Sequence, residues 1–275
     1  MIGSLLPAVA AELRLPAGSG SGRGSAAGPV VTAVGSHDTA SAVLAVPMRP
    51  ESAAYISCGT WGLVGVELDH PVLSEAGRLA NVTNERAVGG RIRYLHNVMG
   101  LWLLSESLRT WQARGEDAEL ASLLERAAQP GVPFTLFDAE DPRFLAPGDI
   151  PARIADWCRE HDQPAPTDHV SIVRSIIESL AEALASTVHQ VASLAGVPVE
   201  TVHVVGGGAR NTLLCRAVAD RSGLPVVAGP VEATAIGNVL VQAGAVGLTD
   251  ASPEALRALV AATFPPTRYE PTARR

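Results

Sequence analysis

Lysine is absent: all 21 basic residues among the 275 are arginine. No Schiff-base lysine can form, and a Walker A phosphate loop, which depends on its lysine, is excluded as well. Cysteine is sparse. Cys58, Cys158 and Cys215 lie far apart with no C-x-x-C pair, which argues against a zinc site and fits a reducing, cytoplasmic setting. No apolar run approaches the roughly 20 residues of a membrane helix. The opening stretch MIGSLLPAVAAELRLP has no basic residue before Arg14 and carries Pro7 and Glu12 inside its apolar part, so it does not read as a targeting peptide. Excess positive charge is missing too. Acidic residues number 28, for a net charge of −7, and no basic run offers the face that nucleic acid requires. No G-x-S-x-G elbow occurs, and adjacent Ser36 and His37 cannot form a hydrolase triad by themselves. His70, His96, His161, His169, His189 and His203 show no metal-ligand spacing and are expected in surface or capping roles.

What is present suffices for a real core: 47% of residues are hydrophobic and 18% charged. Residues 4–14 read as the end of a helix, and AGSGSGRGSAAG, residues 17–28, as a flexible tract. VVTAV (30–34) reads as a buried strand and TASAVLAV (39–46) as the helix after it. AAYISCG (53–59) and WGLVGVEL (61–68) read as strands joined by a tight Gly-Thr turn, and RIRYL (91–95) as a short strand. From Asn97 the apolar period becomes helical, with Trp102 and Trp111 as core residues. A helix over about 117–128 follows, then a proline- and acid-rich surface excursion over 130–166. Asp168 caps a long helix closed by Gly196. TVHVVGGGARNTLLCRAVADRSGLPVVAG reads as a strand-helix-strand unit, trailed by helices near 232–246 and 252–262 and a loose tail. Strands and helices alternate throughout, so the class is α/β.

Three short motifs carry chemistry. In VVGGGARN, the glycines Gly206, Gly207 and Gly208 directly follow a strand. They can bring backbone close to a nucleotide, with the helix start that follows favouring negative charge, or simply make a tight turn. Asn211 stands where the dinucleotide fingerprint needs its third glycine, and is also a good helix cap. In SCGTWG, Gly59 and Thr60 can wrap a phosphate with main-chain and hydroxyl donors, or form a plain hairpin. In VTAVGSHDTASAV, Asp38 follows an expected strand. An aspartate there can take the proton of a hydroxyl attacking a phosphoryl group, or cap the helix.

Order and spacing join these motifs. GSHDTASAV, YISCGTWGLVGVEL, NVTNE, YLHNVMGLWLL, VVGGGARNTLLCRAVAD and AGPVEATAIGNVLVQA span most of residues 30–247. Together they resemble the carboxyl-terminal domain of the FGGY carbohydrate kinases, in particular the members acting on L-rhamnulose. The resemblance implies an α/β domain of the actin-like ATPase, ribonuclease H-like kind, the carboxyl-terminal half of a two-domain sugar kinase. It implies ATP and Mg²⁺ as cofactors and transfer of phosphate to a ketose, giving L-rhamnulose 1-phosphate. Asp38 would be the general base, His37, Asp38 and Thr39 would meet the sugar, and Asn97 would contact nucleotide or sugar. Gly59 and Thr60 would hold ATP phosphate, and Gly206, Gly207, Gly208 and Asn211 would complete the nucleotide side, with Gly207 against the adenosine. No side chain of this chain is assigned to metal. Residues 1–29 are expected to be a remnant of the amino-terminal domain plus linker, 30–250 the kinase domain, and 251–275 a terminal helix and tail. The expected partners are a ketose and a missing amino-terminal domain, with no nucleic acid and no membrane. The alternatives are a nucleotide-binding fragment without turnover and, from the glycine motif, an NAD-linked oxidoreductase.

Overall fold

The computed structural model describes residues 3–15, 30–35 and 37–272. The expected flexible tract over 17–28 and Ser36 lie outside these residues. The chain begins with β1 (Gly3–Ser4), α1 (Pro7–Glu12), β2 (Val30–Val31) and α2 (Asp38–Leu44). Next come β3 (Ala53–Cys58), β4 (Trp61–Leu68), α3 (Glu75–Leu79), β5 (Thr83–Arg86) and β6 (Ile92–Met99). The helices α4 (Trp102–Ala113), α5 (Leu120–Ala127), α6 (Ile150–Glu160) and α7 (His169–Ala195) follow. The chain closes with β7 (Thr201–Val205), α8 (Thr212–Ser222), β8 (Val226–Ala228), α9 (Ala233–Ala245), α10 (Pro253–Thr263) and β9 (Thr267–Tyr269).

Seven strands form one sheet in the order β5-β6-β4-β3-β7-β8-β9. The hairpin β3–β4 and the neighbour β6 make an antiparallel half, and β7 and β8 extend it parallel to β3. Strand alternation splits the core between two faces. Ala54, Ile56, Cys58, Val64, Val66, Tyr94, Val98, Val202 and Val204 pack with α7 and its neighbours in the larger core. Tyr55, Leu95 and Val205 turn the other way, toward α2, α9 and α10. The long helix α7 starts in a capping box between Asp168 and Ser171 and ends at left-handed Gly196, φ 68°, as its sequence signals require.

The second face is smaller and carries buried charge. Glu67, on β4, accepts from Arg257 of α10 and forms an ion pair with Arg91 at 3.1 Å, while Arg257 also donates to the Val43 carbonyl of α2 at 3.3 Å. These bonds tie α10 and the end of α2 to the sheet. A buried ion pair gives little net stability, but losing one partner strands the other. α9 lies on α2 so closely that a Cβ on Gly237 would stand 1.9 Å from the Ser41 carbonyl oxygen.

Five expectations are corrected. The run 30–34 is not a buried strand of the main sheet. Only Val30–Val31 is extended, paired with Gly3–Ser4, and residues 31, 32 and 34 are merely half-buried. β6 continues to Met99, so Asn97 is a strand residue and the helix starts at Trp102. The stretch 130–166 is not a surface excursion: it contains α6 and sends Phe137, Phe144, Ile150, Ile154, Trp157 and Cys158 into the larger core. Its prolines and acids punctuate and cap, and its apolar residues do the burying. The tail is not loose at its start, because β9 pairs antiparallel with β8. His203 is interior, 6% exposed, and its Nδ1 is buried without a hydrogen-bond partner among the described residues.

Candidate active site

β3, β6, β7 and β8 run in one direction, so their carboxyl ends share one edge of the sheet. A glycine follows each strand at that edge: Gly59, Gly100, Gly206 and Gly229. Open α/β sheets bind ligands outside such ends. Here the turns are locked together. Leu101 and Trp102 donate their N–H groups to the carbonyls of Gly59 and Thr60 at 2.9 and 3.2 Å. A Cβ on Gly100 would stand 2.6 Å from the Thr60 carbonyl oxygen, one on Gly206 would stand 2.8 Å from the Cys58 carbonyl oxygen, and one on Gly208 would stand 2.5 Å from the Cys58 Cβ. The glycine triplet is thereby pressed against the strand that ends in the Gly-Thr turn. Cys58 is filler at this contact. Burial pushes its thiol up to about 12, so it is no nucleophile at neutral pH.

Two glycines are different. Gly59 and Gly207 are exposed, lack the positive φ that favours glycine, and would meet nothing within 4 Å on gaining a Cβ. Every other glycine among the described residues has either a positive φ or a neighbour against its would-be Cβ. The protein's own packing therefore does not explain these two, and both face the same edge. Their neighbours are committed to structure. The Gly59 N–H donates to the Trp61 carbonyl at 2.8 Å, leaving Thr60 as the turn's exposed polar residue. The Asn211 carboxamide is 7% exposed and caps α8 by accepting from the Leu214 N–H at 3.0 Å, the capping role its sequence position left open.

Asp38 stands one position inside α2, after His37 at the cap position, and the cap residue makes no side-chain capping bond. The Asp38 side chain is 78% exposed, and its Oδ1 accepts from the N–H of the next residue, Thr39, at 2.7 Å. Oδ1 thus satisfies one first-turn N–H of α2, while Oδ2 makes no polar contact among the described residues. Thr39 is buried and its hydroxyl lies 3.3 Å from the same Oδ1. It props the carboxylate from below instead of facing outward. Asn97 is exposed, two residues before the end of β6, where it pairs with Leu63. By strand alternation it shares a face with Leu95, which packs on the α2 side of the sheet. The fold thus presses the glycine triplet against Cys58, the residue before the Gly-Thr turn, and sets Asp38, His37 and Asn97 on one face of the sheet. Among the described residues, the polar contacts of Asp38 are to Thr39 and His37, and none reaches either turn.

Two residues at this face were not singled out from the sequence. His37 Nδ1 lies 3.8 Å from Asp38 Oδ1 and equally 3.8 Å from an oxygen of Glu85 on β5. Glu85 in turn accepts from Arg93 at 2.6 Å. The Arg93 side chain is wholly buried. The alternation of RIRYL carried a signal, since it places Arg93 on the same face as Leu95, but it did not show that this face is covered.

The family model for the FGGY family of carbohydrate kinases, C-terminal domain, matches residues 54–246. The chain is 42% identical over 243 residues to a rhamnulokinase of Pectobacterium carotovorum subsp. carotovorum, covering 88% of this chain and 48% of that protein. It is 42% identical over 242 residues to one of Bacteroides thetaiotaomicron, covering 88% and 49%. The chain spans about half the length of the curated relatives it matches. Among solved structures, a xylulose kinase of Rhodospirillum rubrum superposes with a TM-score of 0.63 at 18% identity, covering 98% of this chain and 51% of that one. A glycerol kinase of Plasmodium falciparum, solved with ADP, gives 0.57 at 14% identity, covering 86% and 46%. These likenesses carry the actin-like fold. The antiparallel half of the sheet also sets aside the dinucleotide-binding oxidoreductase alternative, whose sheet is mostly parallel. Sheet order, matched domain and relatives agree: the chain belongs to the FGGY family of carbohydrate kinases and carries their carboxyl-terminal domain.

Proposed function

We propose that this chain supplies the catalytic base and half of the nucleotide cleft of an ATP-dependent ketose kinase acting on L-rhamnulose. The observation that carries the reading is the pair Gly59 and Gly207, exposed at one edge and required by neither backbone conformation nor packing. A flat ligand or a phosphate group fits where a side chain would otherwise stand. With no lysine in the chain, phosphate would be held by backbone and by the Thr60 hydroxyl, and the open face of Gly207 would take the adenosine. The exposed Asp38 carboxylate, whose Oδ1 takes the Thr39 N–H and whose Oδ2 is open, would accept the proton of the sugar hydroxyl as its oxygen attacks the γ-phosphorus. The new bond joins that oxygen to phosphorus, the bond to ADP breaks, and the proton ends on Asp38. His37 and Asn97 would contact the ketose, which the rhamnulokinase relatives suggest is L-rhamnulose.

Among the described residues no group of three or more His, Cys, Asp or Glu side chains could hold a cation. No residue of this chain is assigned to Mg²⁺, which would neutralise charge on the nucleotide phosphates. An amino-terminal kinase domain is the proposed partner, with residues 1–29 as its remnant and linker and residues 30–250 as the carboxyl-terminal unit. Among the described residues no helix is long and apolar enough to cross a membrane.

The test joins this chain to the amino-terminal half of the Pectobacterium rhamnulokinase and follows ADP release with L-rhamnulose. Asp38→Asn should lower kcat by about 10²–10⁴ while ATP affinity stays within about threefold. Normal turnover by that variant rejects the base assignment.

A further inference from the structure

His37 has an unusual setting for a residue at a helix start. Its ring makes no capping bond, and the same nitrogen, Nδ1, faces two carboxylates, Asp38 and Glu85, each at 3.8 Å. The two acids differ in how they are held. Asp38 is open to solvent at 78% exposure, whereas Glu85 is 32% exposed and anchored by the 2.6 Å bond from Arg93. Arg93 is held by burial: it lies on β6, between β5 and β4, with its side chain 0% exposed. Its Nε and Nη1 find no other partner among the described residues. Glu85 is therefore a fixed acceptor beside an otherwise loosely held ring.

A neutral imidazole carries one N–H, and the nitrogen facing an acceptor keeps the proton. At 3.8 Å neither carboxylate is hydrogen-bonded to Nδ1, but two negative charges on that side of the ring favour the N–H at Nδ1 and leave Nε2 as a bare acceptor. We propose that Glu85, braced by Arg93, is a positioning residue that sets the His37 tautomer and ring orientation, so that Nε2 accepts a hydrogen bond from a hydroxyl of the ketose. The proposal rests on the reading of His37 as a sugar contact. It adds the reason why His37 presents an acceptor to a sugar hydroxyl, leaving the proton of the reacting hydroxyl to Asp38.

The tautomer can be read on this chain without turnover. In ¹⁵N-labelled protein above pH 8, long-range ¹H–¹⁵N correlation distinguishes the two tautomers, with His37→Gln assigning the signal. The wild type should show His37 as the Nδ1–H form. Glu85→Leu should shift it toward the Nε2–H form that imidazoles favour in water, and Glu85→Gln, which keeps an acceptor oxygen, should restore it. Because Glu85→Leu leaves a buried guanidinium unpaired and can unfold the chain, Glu85→Leu/Arg93→Met removes both charges and should give the same loss. In the joined kinase this double variant should raise KM for L-rhamnulose about tenfold, the worth of one such hydrogen bond, with kcat within threefold. A wild-type His37 in the Nε2–H form, or a tautomer unchanged in the double variant, overturns the proposal. An active Asp38→Asn enzyme would instead overturn the base assignment and leave the tautomer result standing.

Discussion

Two adjacent glycines should respond to the same substitution with opposite signs. Alanine at Gly208 places its Cβ 2.5 Å from the Cβ of Cys58 and 2.6 Å from its sulfur, where carbon contacts need about 3.5–4 Å. The triplet and the end of β3 must separate by roughly 1 Å. Overpacking of this kind costs about 1–3 kcal/mol, a fall in Tm of about 2–12 °C for a chain this long. Alanine at Gly207 meets nothing within 4 Å and the backbone there does not have positive φ. Its main effect is on the unfolded chain, whose lost freedom stabilises the fold by about 0.4–1 kcal/mol. Urea unfolding of the two variants, with equal m-values as the control, should therefore separate them by about 1.4–4 kcal/mol. Nucleotide binding should then invert the ranking. Gly207→Val fills the open face and should weaken ATP binding at least about tenfold by calorimetry in the joined kinase, with stability near that of the wild type. Equal destabilisation at both positions would refute the packing argument. Unchanged ATP affinity in Gly207→Val would refute the claim that the open glycine faces the nucleotide.

Two further outcomes test the second face of the sheet. Burial, then the charges of Arg257 and Arg268, lowers the His203 pKa from 6.5 to about 4. Below pH 6.5 the unfolded chain binds the proton that the folded one refuses, so stability is lost as pH falls from about 6.5 to about 4. Across that window the loss amounts to about 3 kcal/mol in all. His203→Gln should remove that portion of the slope in urea unfolding curves, and a constant wild-type-to-variant gap between pH 7 and pH 4.5 would contradict it. Gly237→Ala, whose Cβ would fall 1.9 Å from the Ser41 carbonyl oxygen, must push α9 off α2, since neither backbone can yield. A loss of about 3 kcal/mol or more is expected at the top of the overpacking range, and a wild-type unfolding midpoint would show that the two helices are not in register as described.

Local signals were enough for the elements with strong punctuation. Asp168 and Gly196 bound α7, Asn211 and Gly223 bound α8, and the Gly-Thr pair divides β3 from β4, because caps and tight turns depend on a few neighbouring residues. Asp38, His37, Asn97 and the glycine turns were nameable in the same way, by residue type and order. What lay beyond the sequence was each case in which a distant element decides burial. VVTAV looks like a core strand, yet among the described residues it pairs only with Gly3–Ser4. The apolar residues of 130–166 enter the core because α4 and α7, distant in sequence, offer surfaces for them to cover.

The order of residues alone determined that the chain lacks a lysine-based phosphate loop, alternates strand with helix, and holds an acid ahead of one helix and three glycines ahead of another. Only the tertiary structure decided that Cys58 lies under the glycine triplet and that Arg93 is sealed inside with Glu85 as its counter-charge. It also decided that Gly59 and Gly207 are left open where Gly206 and Gly208 are not. Composition and period report what a residue can do within a few neighbours, whereas contact between residues 58 and 208, or 85 and 93, depends on strand order and register, which are settled by packing the whole sheet.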